Sequence, residues 1–152
     1  MGWYHKVSND ISKIPDALNH FESELDDARL EVKIKGSLEK ASAEMPGIVE
    51  QRFNQLQEIE AILNYLNIEL RKLRSSFFKK YLENYQRALS SRDVEKYVDG
   101  ESAVVDYELL INEFALMRNK WLGILKSLDS KGFSINNIIK LRVAGLDDVS
   151  VI

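Results

Sequence analysis

The 152-residue chain has no cysteine, two histidines, two prolines and seven glycines. Without cysteine there is no disulfide, no thiol nucleophile and no thiolate metal site. His5 and His20 alone leave little for an imidazole metal centre. Sparse, scattered Gly and Pro argue against a turn-rich all-β fold. No apolar run approaches the roughly 20 residues of a bilayer-spanning helix. The start, Met1-Gly2-Trp3-Tyr4-His5-Lys6, runs into polar residues where a signal peptide would carry its apolar core. There is no Gly-rich phosphate loop, no HExxH and no nucleophile elbow. The acids Glu22 with Asp26, Glu24 with Asp27, and Glu58 with Glu60 read as solvated helix surface rather than catalytic pairs. The expectation is a mainly α, cytoplasmic protein with no cofactor, metal or membrane span, in which no catalytic centre stands out.

What is present is charge, and it is segregated. The net charge of −3 divides into −5 over residues 1–68, +4 over 69–97 and −2 over 98–152. Residues 71–92 hold seven bases (Arg71, Lys72, Arg74, Lys79, Lys80, Arg87 and Arg92) and one acid, Glu83. A basic segment in an acidic protein is either a polyanion site or a solvated face paired with the acidic remainder.

Apolar spacing supplies the elements. Ile14, Leu18, Phe21, Leu25 and Ala28 predict a helix over 10–28, with Pro15 in its first turn. Leu30, Val32 and Ile34 then alternate with charged residues, which predicts a short extended segment over 29–35. Met45-Pro46-Gly47 is the clearest break. Beyond it Phe53, Leu56, Ile59, Leu63, Leu66, Leu70, Leu73 and Phe77 form a near-heptad seam. A single helix from 47 to 92 would be roughly 65–70 Å long at ~1.5 Å per residue. That predicts a break near Ser75-Ser76 or Ser90-Ser91, or packing against other subunits. Residues 98–104 read as a loop, and 105–130 as a helix with Tyr107, Leu110, Ile111, Phe114, Met117, Trp121, Leu125 and Leu128 inward. That helix stops at Gly132, and a short last helix ends at Gly145. The expected organisation is an N-terminal helix and arm over 1–44, a helical domain over 45–145 and a tail over 146–152.

The segment Glu69–Arg87 interleaves six bases with Phe77, Phe78, Tyr81 and Tyr85. Bases contact phosphates and aromatic faces stack on nucleobases, which together make a sequence-tolerant single-strand surface. On an ideal helix Lys72, Lys79, Lys80 and Arg87 share a ridge opposite Leu70, Leu73 and Phe77. Arg74 lies about 200° from Lys72. Phe77 continues the seam, whereas Phe78 and Tyr85 lean away from it and are the stacking candidates. The competing reading has Arg74 paired with an acid such as Asp99 or Glu101, holding the fold.

Two stretches carry a family resemblance. One is Lys72-Leu73-Arg74-Ser75-Ser76-Phe77-Phe78. The other runs from Trp121 through Lys131-Gly132-Phe133 and the Ile-rich Ile135–Leu141 to Arg142. Their order and spacing over residues 45–142 resemble the UvsY recombination mediators of T4-like phages. Phe77-Phe78 stands where tyrosines are familiar in that family, the N-terminal arm is longer, and the net charge is acidic.

The resemblance implies a non-enzymatic protein of the infected host's cytoplasm. It would bind single-stranded DNA, assemble into an open seven-membered homo-oligomeric ring, and help load a RecA-like recombinase onto DNA covered by single-strand binding protein. Lys72 and Arg74 match the family's basic pair. Arg71, Lys79, Lys80, Arg87, Phe78 and Tyr85 are expected to extend the DNA site. Trp121, Leu125, Leu128, Phe133, Ile138 and Ile139 are expected to form a helical core shared between chains. The alternative function is a helical protein–protein adaptor that binds no nucleic acid.

Overall fold

The computed structural model describes residues 2–84 and 89–146. Helix accounts for 90% of them, and no strand occurs among them. The elements are α1 (Trp3–Asn9), a 3-10 turn (Ile11–Lys13), α2 (Ile14–Val32), α3 (Leu38–Asn84), α4 (Ser91–Asp99) and α5 (Ser102–Val143). The mainly α class is thus observed.

The chain forms two compact units. Met1–Pro15 and Glu58–Met117 make one; Asp16–Gln57 and Arg118–Ile152 make the other. In the first, Val7, Ile59, Ile62, Leu63, Leu66, Phe114 and Met117 are buried. Val94, Val98 and Val104 form a second cluster there, covered by Leu70, Leu73, Phe77, Phe78, Tyr81 and Leu89. In the second unit, Phe21 of α2 meets Trp121 of α5 edge-on, with centroids 5.9 Å apart at 84°. Ala17, Leu25, Ala28, Leu56, Ile124, Leu128 and Ile135 are also buried there. Burial of such side chains contributes roughly 1.5–3 kcal/mol for each large residue.

The helices differ from the sequence expectation mainly in their ends. Asp10, expected inside the first helix, instead caps the 3-10 turn by accepting the Ser12 N–H at 3.1 Å. Leu30 and Val32 lie in the last turn of α2, not in an extended segment. The turn follows at Gly36, where φ is +69° and a β-carbon would be strained. Ser37 then accepts the Lys40 N–H at 3.1 Å and starts α3.

Helix α3 passes through both Met45-Pro46-Gly47 and Ser75-Ser76 without ending. An interior proline costs about 3 kcal/mol. Buried Ala41 before it and half-buried Ile48 and Val49 after it keep the apolar face in register across the site. Gly132 likewise lies inside α5, because the 3,4-spaced buried face runs on from Met117 to Ile135 through Lys131. Two expected boundaries are observed. Ser90 caps α4 by accepting the Asp93 N–H. Gly145, at φ +72°, ends α5 while Leu146 N–H donates to the Leu141 carbonyl at 2.9 Å.

Candidate nucleic-acid interface

Five of the seven bases of the basic segment, Arg71, Lys72, Arg74, Lys79 and Lys80, lie on the last four turns of α3 in the first unit, and Arg92 lies in α4. Leu70, Leu73, Phe77 and Tyr81 recur every three or four residues and seat this stretch on the Val94-Val98-Val104 cluster. Arg71, Lys72, Lys79 and Lys80 consequently project outward and are exposed. Lys72 Nζ sits 3.3 Å from Glu69 and Lys79 Nζ 4.0 Å from Glu83. Both are single-turn pairs on a wet surface, worth about 0.3–0.5 kcal/mol, which a phosphate can displace. Lys80 Nζ lies 5.8 Å from the Phe77 ring centroid. Arg71 makes no polar contact with a described residue.

Arg74 is placed differently. It projects from the flank of the packed face, one-third exposed, with Nη2 2.6 Å from Asp99 Oδ1 and Nη1 3.7 Å from Glu108 Oε1. The guanidinium thereby ties α3 to the end of α4 and the start of α5. Nearby, the Tyr81 hydroxyl donates to Glu101 and its ring stacks on Tyr97, centroids 5.5 Å apart. Of the two acids anticipated for Arg74, Asp99 takes the arginine and Glu101 takes the tyrosine.

Phe78, read as leaning away from the seam, packs against the valine cluster beside Phe77. At 100° per residue it falls about 80° from Leu70, inside the width of the buried stripe. Both phenylalanines are thus half-buried against the first unit's own core. Tyr85 and Arg87 lie outside the described residues.

The residues expected to join chains divide by exposure. Trp121 is fully buried and Leu128 nearly so, within the chain's own second unit. Leu125 and Ile138 are half-buried. Phe133 is 72% exposed and Ile139 40%, with Leu141 and the 84% exposed Val143 beyond them.

The sequence reading missed two buried cations. Arg52, not Phe53, takes the inward position one turn before Leu56; Arg52 is 2% exposed and Phe53 49%. Arg52 donates to Glu24 at 2.7 Å, to Gln55 at 2.9 Å and to both carboxylate oxygens of Glu31. Gln55's amide and the Arg52 guanidinium hold the Glu24 carboxyl below the usual carboxylate range. Lys131, on α5, is 8% exposed. A step of four from Arg52 to Leu56 fits the helical period as well as a step of three from Phe53, so the spacing carried the signal and the residue types concealed it.

Among the described residues, no group of three or more His, Cys, Asp or Glu could hold a metal ion, and no helix is long and apolar enough to cross a membrane. Comparisons with protein-family profiles, curated proteins and solved structures return no match.

Proposed function

We propose that this chain is a recombination mediator. It binds single-stranded DNA through Arg71, Lys72, Lys79 and Lys80 of α3 and helps a RecA-like recombinase onto DNA covered by single-strand binding protein. The observation that carries the reading is four exposed cations on a helix stretch whose two neighbouring acids make only weak single-turn pairs. Such a face binds phosphates without reading sequence. The resemblance of the Lys72–Phe78 and Trp121–Arg142 stretches supplies the mediator role and the ring assembly. Exposed Phe133, Ile139 and Val143 offer apolar area for contact with further copies. Arg74 acts by positioning α4 and α5 beside the basic face, not by touching the strand.

The test is fluorescence anisotropy of labelled oligonucleotides at graded salt, with sedimentation of protein alone and with oligonucleotide. The expected result is similar affinity for mixed sequences, preference for single strands over duplex, and a steep loss with salt. Absence of binding even at low salt would favour the adaptor, whose support is the exposed apolar end of α5. Equal affinity for duplex would reduce the site to a nonspecific basic surface. Stimulation of recombinase loading on protein-covered DNA then tests the mediator role itself.

A further inference from the structure

Lys131 occupies a core position. Met117, Trp121, Ile124, Leu128, Lys131 and Ile135 follow one another at steps of four, three, four, three and four, and all are buried. An ammonium in that register is expensive to desolvate. Its Nζ donates to the Glu31 main-chain carbonyl at 2.6 Å, at the end of α2. That carbonyl is its one polar partner among the described residues, and no described carboxylate lies within 4.0 Å. Two of its three N–H donors and its full charge are left over.

The surroundings explain where that charge is directed. Lys131 lines a cleft of about 320 Å³ within the second unit, with Lys33 and Lys35 from the α2–α3 turn and Lys40 from the first turn of α3. Glu31 and Glu44 also line it. The Glu31 carboxylate is already held by buried Arg52. Glu44 meets Lys40 only at 3.9 Å, and both are largely exposed. The cleft is therefore a cationic pocket with the largely buried Lys131 side chain in its wall, and the positive end of the α3 dipole adds to the same field.

We propose that this cleft binds a phosphoryl group, supplied either by a nucleic-acid backbone or by a small phosphorylated molecule. Several lysines acting as point charges suit a compact anion with three or four acceptor oxygens. The anion would accept from the Lys131 N–H donors that have no described protein partner. This site shares no residue with the basic face of α3, so the two can stand or fall separately.

The test uses the full chain and inorganic phosphate as the probe, followed by amide NMR and thermal melting, against sodium chloride at matched ionic strength. Phosphate should shift the amides of residues 33–41 and Lys131 saturably, and should raise the melting temperature more than chloride does. Lys33→Gln with Lys35→Gln, both exposed, should weaken phosphate binding about tenfold or more with an unchanged melting point in chloride. Lys131→Met should abolish the phosphate-specific rise. Equal shifts with chloride, or unaltered phosphate affinity in the Lys33→Gln, Lys35→Gln variant, would overturn the site.

Displacement of phosphate by an oligonucleotide identifies the strand as the source. Loss of phosphate binding in that variant, with oligonucleotide affinity intact, identifies a small molecule. If wild-type protein binds phosphate here but no oligonucleotide, this site stands and the DNA reading fails.

Discussion

Lys72 and Arg74 are two residues apart, yet single substitutions should separate binding from folding. Arg74→Ala removes the 2.6 Å ion pair with Asp99 and the 3.7 Å pair with Glu108. The arginine is one-third exposed and both acids are more than half exposed, so surface values apply. Up to about 1 kcal/mol for the close pair, little for the longer one, and some lost packing of the arginine stem give a total of about 1 kcal/mol. For a chain of this size that lowers the melting temperature by about 2–4 °C. Lys72→Ala removes only a 3.3 Å pair on a 71% exposed side chain, about 0.3 kcal/mol, or roughly 1 °C. In DNA binding the order reverses. Lys72→Ala should flatten the dependence of log K on log salt by about 0.7 for each strand phosphate that the lysine no longer neutralises. Arg74→Ala should leave that slope unchanged. Calorimetry and oligonucleotide anisotropy at graded sodium chloride measure both. A wild-type melting temperature in Arg74→Ala with a reduced slope would mean that the guanidinium abandons Asp99 for the strand, and would refute its role as a brace. An unchanged slope in Lys72→Ala would refute the exposed face as the strand's binding surface.

The second unit should depend on Arg52: Arg52→Ala strands two carboxylates that keep partial water contact, costing about 2–3 kcal/mol by thermal or urea melting. Because the folded Glu24 carboxyl titrates below its unfolded value, its stabilisation is present above about pH 4.3 and is lost as pH falls through the folded value. Acid unfolding followed by circular dichroism should show a shallower slope in Arg52→Ala. Leu128→Ala should cost about 2–5 kcal/mol by cavity formation, whereas Phe133→Ser should leave melting within about 0.5 kcal/mol and weaken self-association in sedimentation. Ser90→Ala removes the α4 cap and should cost about 1 kcal/mol, read as lower amide protection in residues 91–99.

The helical class and most of the buried face were legible because a 3.6-residue period shows wherever one helix face is apolar. Phe21, Leu25, Leu56, Ile59, Leu66, Phe114, Met117, Trp121 and Leu128 were all identified that way and are buried. The errors concentrate where a local signal competes with that face. Pro46 and Gly132 are strong punctuators, but each sits where a buried register continues on both sides, and tertiary packing prevails over propensity. The alternation Leu30-Val32-Ile34 spans the final turn of α2 and the following loop, too short a stretch to distinguish period 2 from the end of a period-3.6 pattern.

The candidate site was legible as a field and illegible as a set of contacts. Charge counting located the basic window, because a sum over neighbouring residues needs no tertiary information. Which cations are available depends on acids far along the chain. Asp99 is 25 residues from Arg74 in sequence, and its carboxylate pairs with one member of the basic pair while Lys72 meets only an acid three residues before it. The same logic runs in reverse at Lys131, whose partner is a main-chain carbonyl 100 residues away. Composition hides that lysine within a weakly acidic C-terminal third, yet its burial without a carboxylate makes it the least compensated cation of the second unit's core. In an acidic helical chain, the cations most informative about an anionic ligand are those that the fold leaves without an acid or with only an exposed single-turn pair. Lys131 is of the first kind and Lys72, 3.3 Å from Glu69, of the second, and substitution at these two positions tests whether such ligands bind.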